Sequence, residues 1–394
     1  MAGVNTPFDA VPERRGTHSV KWDSAANGNV LPLWVADMDF TTAPAITEAL
    51  VQRARHGIFG YTRVPESFFT AFTNWLRRRH ALSVTSEALL YTTGVVPALS
   101  AIIQALSIPG DGVIVPSPAY NCFFSSIRNS GCTLVSSPLK EENGHYGFDF
   151  EDLASKVAEP KNTLLLLCNP HNPVGRSWTE AELRQLGELC FAHNVTVISD
   201  EIHCDLTMPG FTHVPFASLG EAFMQHSVSC FSPSKAFNLA GLQVATILAA
   251  DPETRRRIDR RLNINEVCEI SPFAVTAVEA AYNEGEVWLD ALRGYLDENY
   301  QALKRFIETH LPQLKVTPLQ ATYLVWIDCR ALSVTSQTLA RSLYDDHGLW
   351  INEGTVYGPE GDGFIRINIA TSRARLDDAL SRLFAALVNE PPPA

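Results

Sequence analysis

From about residue 90 onward, short apolar runs alternate along the chain with longer segments of helical period. The runs "GVIV", "CTLV", "TLLLLC" and "VTVIS" have the length and β-branched content of strands. Between them, "VPALSAIIQALS", "DFEDLASKVA" and "TEAELRQLGELCFAHN" place apolar residues every three or four positions, as a half-buried helix does. This alternation implies a parallel or mostly parallel sheet covered by helices on both faces. Upstream, "TAPAITEALVQRARHG" reads as a helix opened by Pro44 and stopped by Gly57, with Ile46, Leu50, Val51 and Ala54 on one side. "SFFTAFTNWLRRRH" repeats that logic. Thr179 followed by Glu182 is a capping-box signature for the helix that feeds "VTVISDE". Beyond "SVSCF" and "QVATILAA", a long helical region is interrupted near Gly285, a bridge between domains. "TYLVWIDC", "SQTLARSLYDDHG", "GFIRINIA" and a last helix then form a smaller α+β unit. No period of 20 to 50 residues repeats, and the tail "NEPPPA" is low in structure.

Composition narrows the function classes. The 394 residues exceed one small core and suit two domains, or one large α/β domain with an appendage. With 31 Lys+Arg against 43 Asp+Glu, the formal charge of -12 repels nucleic acid and anionic membranes on average. No apolar stretch approaches the roughly 20 residues that span a bilayer, and the polar start has no signal-peptide core, so the expected location is the cytoplasm. Eight cysteines contain no CxxC pair, and Cys168, Cys190 and Cys230 fall in apolar patterns where a thiol acts as a small hydrophobe. The histidines lack HExxH or other ligand spacing, and no metal site is expected.

Candidate chemistry gathers where strands end, as it does in open α/β sheets. "TLLLLCNPHNPVG" ends in Asn169, Pro170, Asn172 and Pro173; "VTVISDEIH" ends in Asp200, Glu201 and His203; "SVSCFSPSK" ends in Ser232, Ser234 and Lys235. Each cluster taken singly reads equally well as turn material. In "TTGVVPALSAIIQ", Gly94 precedes a helix whose first N–H groups have no internal acceptor and suit a phosphate. A phosphate site without a Walker lysine, joined to a lysine and an aspartate on neighbouring strands, points to a phosphorylated organic cofactor more than to a nucleotide. Lys235 fits a Schiff-base lysine, its amine kept neutral by low exposure and nearby positive charge, with Ser232 on the cofactor phosphate. From these residues alone a surface lysine between turn serines is the better reading; the surrounding clusters reverse that balance.

Taken together, "RRGTHSVKWD", "LPLWVADMDF", "HGIFGYTR", "NPHNPVGR", "ISDEIHCDL", "SPSKAFNLAGLQ", "ATYLVWIDCR" and "GFIRINIA" resemble, in order and spacing, the fold type I pyridoxal phosphate (PLP) enzymes of the aminotransferase class I/II superfamily. Within it the chain is similar to the cystathionine β-lyase, or carbon-sulfur lyase, branch. The resemblance implies a three-layer α/β/α large domain over residues 42–285 with a mostly parallel seven-stranded sheet. It also implies a smaller α+β domain built from residues 1–41 and 286–394. Lys235 would carry the cofactor, Asp200 pair with its pyridine nitrogen, Asn172 donate to its phenolic oxygen, and Tyr120 stack on its ring. The phosphate would meet the N–H groups of Val95 and Val96, Ser232 with its neighbour Ser234, and Tyr61 reaching in from a second subunit of a homodimer. Arg366 would clamp the substrate carboxylate, as a planar guanidinium can. Plainer readings stand beside these: a strand-end cap for Asp200, a core aromatic for Tyr61, a solvent-facing strand arginine for Arg366.

Two departures from general aminotransferases are shared with the lyase branch: His203 where a tyrosine is common, and Gln243 where an arginine holds the phosphate. His203 would then bond near the ring or serve as a satisfied structural histidine. The implied reaction is β-elimination of L-cystathionine or another S-substituted L-cysteine to a thiol, pyruvate and ammonia. The same lysine and aspartate would serve an aminotransferase, and a partner-binding regulatory protein could keep such a pocket.

Overall fold

A computed structural model describes residues 6–25 and 27–389. Its larger sheet has seven strands: β1 (Leu89–Thr92), β2 (Gly112–Ser117), β3 (Thr133–Pro138), β4 (Asn162–Cys168), β5 (Thr196–Asp200), β6 (Ser227–Phe231) and β7 (Ala245–Leu248). They lie in the order β1-β7-β6-β5-β4-β2-β3. β7 runs antiparallel to both its neighbours, and the remaining pairings are parallel. The sequence expected a mostly parallel seven-stranded sheet, and this is one.

The apolar run of β4 explains the layering. Leu164, Leu166 and Cys168 face a core with Leu99, Ile102 and Ile103 of helix α1 (Val95–Leu106). Leu165 and Leu167 face the opposite core, with Leu183 and Leu186 of helix α2 (Glu180–Ala192). Successive side chains of a strand point to opposite faces, so a continuous leucine run supplies both cores at once. Thr179 caps α2 as expected, its side chain and that of Glu182 each accepting the other's backbone N–H.

Upstream, the helix Pro44–His56 ends at Gly57. Of its expected apolar side only Ile46 is buried, and Val51 is 37 % exposed. The long helical region breaks at Gly285 into Pro272–Glu284 and Glu286–His310. A Cβ there would stand 2.5 Å from the Phe237 ring and 2.6 Å from the Ala281 carbonyl, so the close approach of the bridge to the segment bearing Lys235 requires glycine.

The second sheet is antiparallel: β8 (Lys315–Val316), β9 (Leu324–Asp328), β10 (Asn352–Glu353) and β11 (Phe364–Asn368), in the order β8-β9-β11-β10. Residues 31–33 join this unit, because Leu31 and Pro32 pair with Leu349 and Trp350 and the Asn368 N–H donates to the Leu33 carbonyl. Among the described residues no helix is long and apolar enough to cross a membrane. Residues 390–394 of the "NEPPPA" tail lie outside them.

Candidate active site

Register places Cys168, Asp200 and Cys230 side by side at the carboxyl ends of β4, β5 and β6. The ladder continues one step past the strands: the Asn169 N–H donates to the Asp200 carbonyl and the Glu201 N–H to the Cys230 carbonyl, each at 2.9 Å. The three turns therefore leave the sheet in a fixed relation. They open on a cavity of about 570 Å³, within the range of small-molecule sites. Lys235, Asp200, Asn172, Tyr120 and His203 lie on its wall, as do Val95, Val96, Ser234, Gln243 and Arg366. Ser232 does not: its hydroxyl donates to the Val244 carbonyl at 2.7 Å and accepts the Ser234 N–H at 3.1 Å. Tyr61 is fully exposed, at 102 %.

Burial sets the protonation states. The Lys235 amine, deep in the cavity, is lowered to about 8, with the Asp37 carboxylate opposing the shift, and it donates to the Ala36 carbonyl at 2.6 Å. Burial raises the Asp200 carboxyl to about 7 against the pull of the Ile202 N–H, which donates to its Oδ1 at 3.1 Å. Burial, then the charges of Lys235 and Arg366, lower His203 to about 3, which keeps the imidazole neutral; its Nδ1 has no partner. The Tyr120 phenol is pushed up, chiefly by burial and next by the Cys122 thiol it contacts. Adjacent Glu201 is fully occupied, by His213 at 2.7 Å and by the Phe216 N–H and Ser229 hydroxyl at 3.1 Å.

Arg366 projects from β11 of the second sheet, almost wholly buried. Its guanidinium donates to Asn172 Oδ1 at 3.0 Å and to the Trp34 carbonyl at 2.7 Å, stands 4.8 Å from the Tyr357 ring centre, and leaves Nε without a partner. At the other end of the cavity α1 begins at Gly94, whose φ of 149° belongs to glycine alone. Gly94→Ala is expected to destabilise the fold by about 1–3 kcal/mol, measured by denaturant unfolding, and to turn the first N–H groups of α1 away from the cavity.

The segment "WVADMDF", expected to line the substrate side-chain pocket, does reach the cavity through Trp34, Val35 and Ala36, and its backbone is firmly held. Trp34, Val35 and Ala36 line the cavity, and their carbonyls and that of Asp37 are each held by a side-chain hydrogen bond. Asn352 donates to Trp34 at 2.9 Å, Asn368 to Val35 and Asp37 at 2.7 Å, and the Tyr323 hydroxyl to Ala36 at 3.1 Å. Behind them Asp39, wholly buried, pairs with Lys21 at 3.0 Å and with Arg14 at 3.2 Å. The Cys168 thiol is more than the small hydrophobe expected. It donates to the Pro170 carbonyl at 3.2 Å and accepts the Asn172 N–H at 3.4 Å, which fixes the turn bearing Asn172. The bonds to the Trp34–Asp37 carbonyls join segments hundreds of residues apart, and no local motif carries them. Outside the cavity, ligand atoms of His80, Cys204 and Asp205 lie within 4.8 Å of one another, but Asp205 already bonds His80 at 2.7 Å and Trp75 at 3.0 Å.

An amine near neutrality, a buried carboxyl, a half-used guanidinium and a helix N-terminus in one cleft define the class: a fold that holds a phosphorylated carbonyl cofactor and acts on an amino acid. The aminotransferase class I and II family model matches residues 28–383, and the chain belongs to that family. It is 44 % identical to the cystathionine beta-lyase PatB of Bacillus subtilis over 96 % of this chain and 99 % of that one. Among solved structures, cystalysin from Treponema denticola with pyridoxal 5'-phosphate superposes with a TM-score of 0.95 at 32 % identity, covering 98 % and 100 % of the two chains. The PLP-bound C-S lyase from Staphylococcus hominis gives 0.91 at 32 % identity, covering 98 % and 99 %.

Pyridoxal phosphate is the cofactor, and the residues present fit it. A carboxyl buried as deeply as Asp200 needs a cationic N–H partner, a neutral amine suits an aldehyde, and the N–H groups at the start of α1 suit a phosphate.

Proposed function

We propose that the protein is a carbon-sulfur β-lyase that splits S-substituted L-cysteines, with L-cystathionine among them, into a thiol, pyruvate and ammonia. The observation that carries this reading is the convergence of Lys235 and the buried Asp200, on adjoining strand-end turns, in one cavity with the buried Arg366 of the second sheet. Its support is the 44 % identity to a cystathionine beta-lyase over nearly the full length of both chains.

Bound pyridoxal phosphate supplies an aldehyde that condenses with amines and a cationic ring that accepts the electron pair left when Cα loses its proton. Lys235 would hold the aldehyde carbon, and its amine would take the proton from the substrate's Cα. Asp200 would pair with the pyridine nitrogen and, ionised there, keep the proton on it. Asn172, its Oδ1 engaged by Arg366, would have its amide N–H groups for the phenolic oxygen. Tyr120 would cover the ring, and Arg366, whose Nε has no partner, would bind the substrate carboxylate. The N–H groups of Val95 and Val96 and the Ser234 hydroxyl take the phosphate, ahead of Ser232, which is spent on Val244. His203, neutral, has Nδ1 left to bond a ring substituent. The thiolate then leaves Cβ, and hydrolysis of the remainder gives pyruvate and ammonia.

Residues 42–285 would hold the cofactor, while 1–41 and 286–394 supply the Trp34–Asp37 carbonyls and Arg366. The exposed run at Ile58, Phe59 and Tyr61, 67 %, 56 % and 102 % exposed, supports a homodimer in which a second copy would cover it as Tyr61 reaches that copy's phosphate. All eight cysteines are free, as a reducing cytoplasm allows. Purified protein is expected to release pyruvate from cystathionine or S-alkyl cysteines with no keto acid added; an absolute need for a keto acid would make it a transaminase. Sedimentation equilibrium is expected to give a dimer, and a stable monomer would remove Tyr61 from the site.

A further inference from the structure

We infer that the pocket receiving the substrate's sulfur substituent is built for an uncharged, apolar group, so that S-alkyl and S-aryl cysteines are preferred over cystathionine. This rests on the lyase reading above and names its substrate class. The charged side chains on the cavity wall are Asp200, Lys235 and Arg366. All three are committed: to the ring nitrogen, to the reacting carbon and to the α-carboxylate. His203, buried and neutral, offers no charge. Cystathionine carries a second ammonium and a second carboxylate at its far end, and this chain's wall has no charged side chain left to pair with either.

The half-buried wall beside Arg366 is apolar instead: Trp34, Val35, Cys122 and Val356, with the Tyr357 ring under the guanidinium. It is also preset in shape. Trp34 stacks on Trp350 with ring centres 4.5 Å apart and planes within 14°, and the Asn352 amide ties the Trp34 carbonyl to the Tyr357 hydroxyl at 2.9 and 2.7 Å. An apolar substituent gains by leaving water against such a surface, whereas a zwitterion would shed its hydration with no charged partner in exchange.

The decisive measurement is calorimetric binding to the cofactor-loaded enzyme of two chain-matched amino acids that cannot eliminate. L-2-aminooctanoate ends in a methyl group, and L,L-2,7-diaminosuberate ends in the zwitterion of cystathionine. The first is expected to bind at least about tenfold tighter. Equal affinities or the reverse order would overturn the inference. In parallel, kcat/KM for pyruvate release is expected to rise about fourfold per methylene from S-methyl to S-butyl cysteine and to exceed that for cystathionine. If no substrate yields pyruvate, the lyase reading fails while the binding order still decides the pocket. Val356→Lys, which sets a cation in the wall, is expected to cut the preference for the octanoate about tenfold. An unchanged preference in that variant overturns the assignment of this wall.

Discussion

Lys235→Ala is expected to lower pyruvate release by about 10⁴-fold or more, because one amine both holds the cofactor and moves the α-proton. A second readout does not depend on turnover. Borohydride treatment should attach the cofactor covalently to the wild-type chain and leave the variant unlabelled after denaturation. The wild-type rate of coupling to added cofactor should climb with pH and level near 8, where burial has brought the Lys235 amine. An ordinary lysine would go on rising toward 10.5. Covalent labelling of the variant at another lysine would displace Lys235 from the site.

Asp200→Asn should separate activity from stability. Loss of the carboxylate that keeps the ring nitrogen protonated is expected to cost roughly 10³-fold in turnover. The cofactor-free protein should behave in the opposite sense. Burial raises the carboxyl from 3.8 to about 7, so the folded chain holds this proton more tightly than the unfolded one. Its contribution is most favourable below pH 4 and declines as pH rises toward 7, leaving above that a penalty of up to about 4 kcal/mol. The asparagine variant escapes the penalty. Without cofactor it should melt at a higher temperature than wild type at pH 8 and lose that advantage near pH 4. Equal melting at pH 8 would mean that Asp200 is better solvated than its surroundings indicate. A site that holds an unfavourable carboxyl for the sake of a ligand is the familiar exchange of stability for function.

Much of the framework is legible along the chain because its causes are local. The β4 leucine run and the Thr179 and Glu182 cap each follow from neighbours a few residues away. The strand-end clusters are legible for a related reason: in a parallel sheet the turns after neighbouring strands must emerge on one edge, so Asn172, Asp200 and Lys235 converge once the strands are recognised. The hydroxyls of "SPSK" were harder to tell apart. Ser232 and Ser234 sit two residues apart, and the backbone carbonyl of Val244, from the next strand's approach, decides which of them faces the cavity. The resemblance to a known family proposed Arg366, whereas composition and period left it a strand arginine like any other.

The alternation of strands and helices, the Thr179–Glu182 cap and the meeting of an amine with a carboxyl at one sheet edge were determined by the sequence itself, through periodicity and turn chemistry. Tertiary structure alone decided the bonds to the Trp34–Asp37 carbonyls, the tie between Arg366 and Asn172 across 194 positions of chain, and the apolar wall beside them. The physical reason is separation. A hydrogen bond or a buried charge acts over a few ångströms, and which distant segments come within that reach depends on how two sheets pack, which no single stretch of residues encodes.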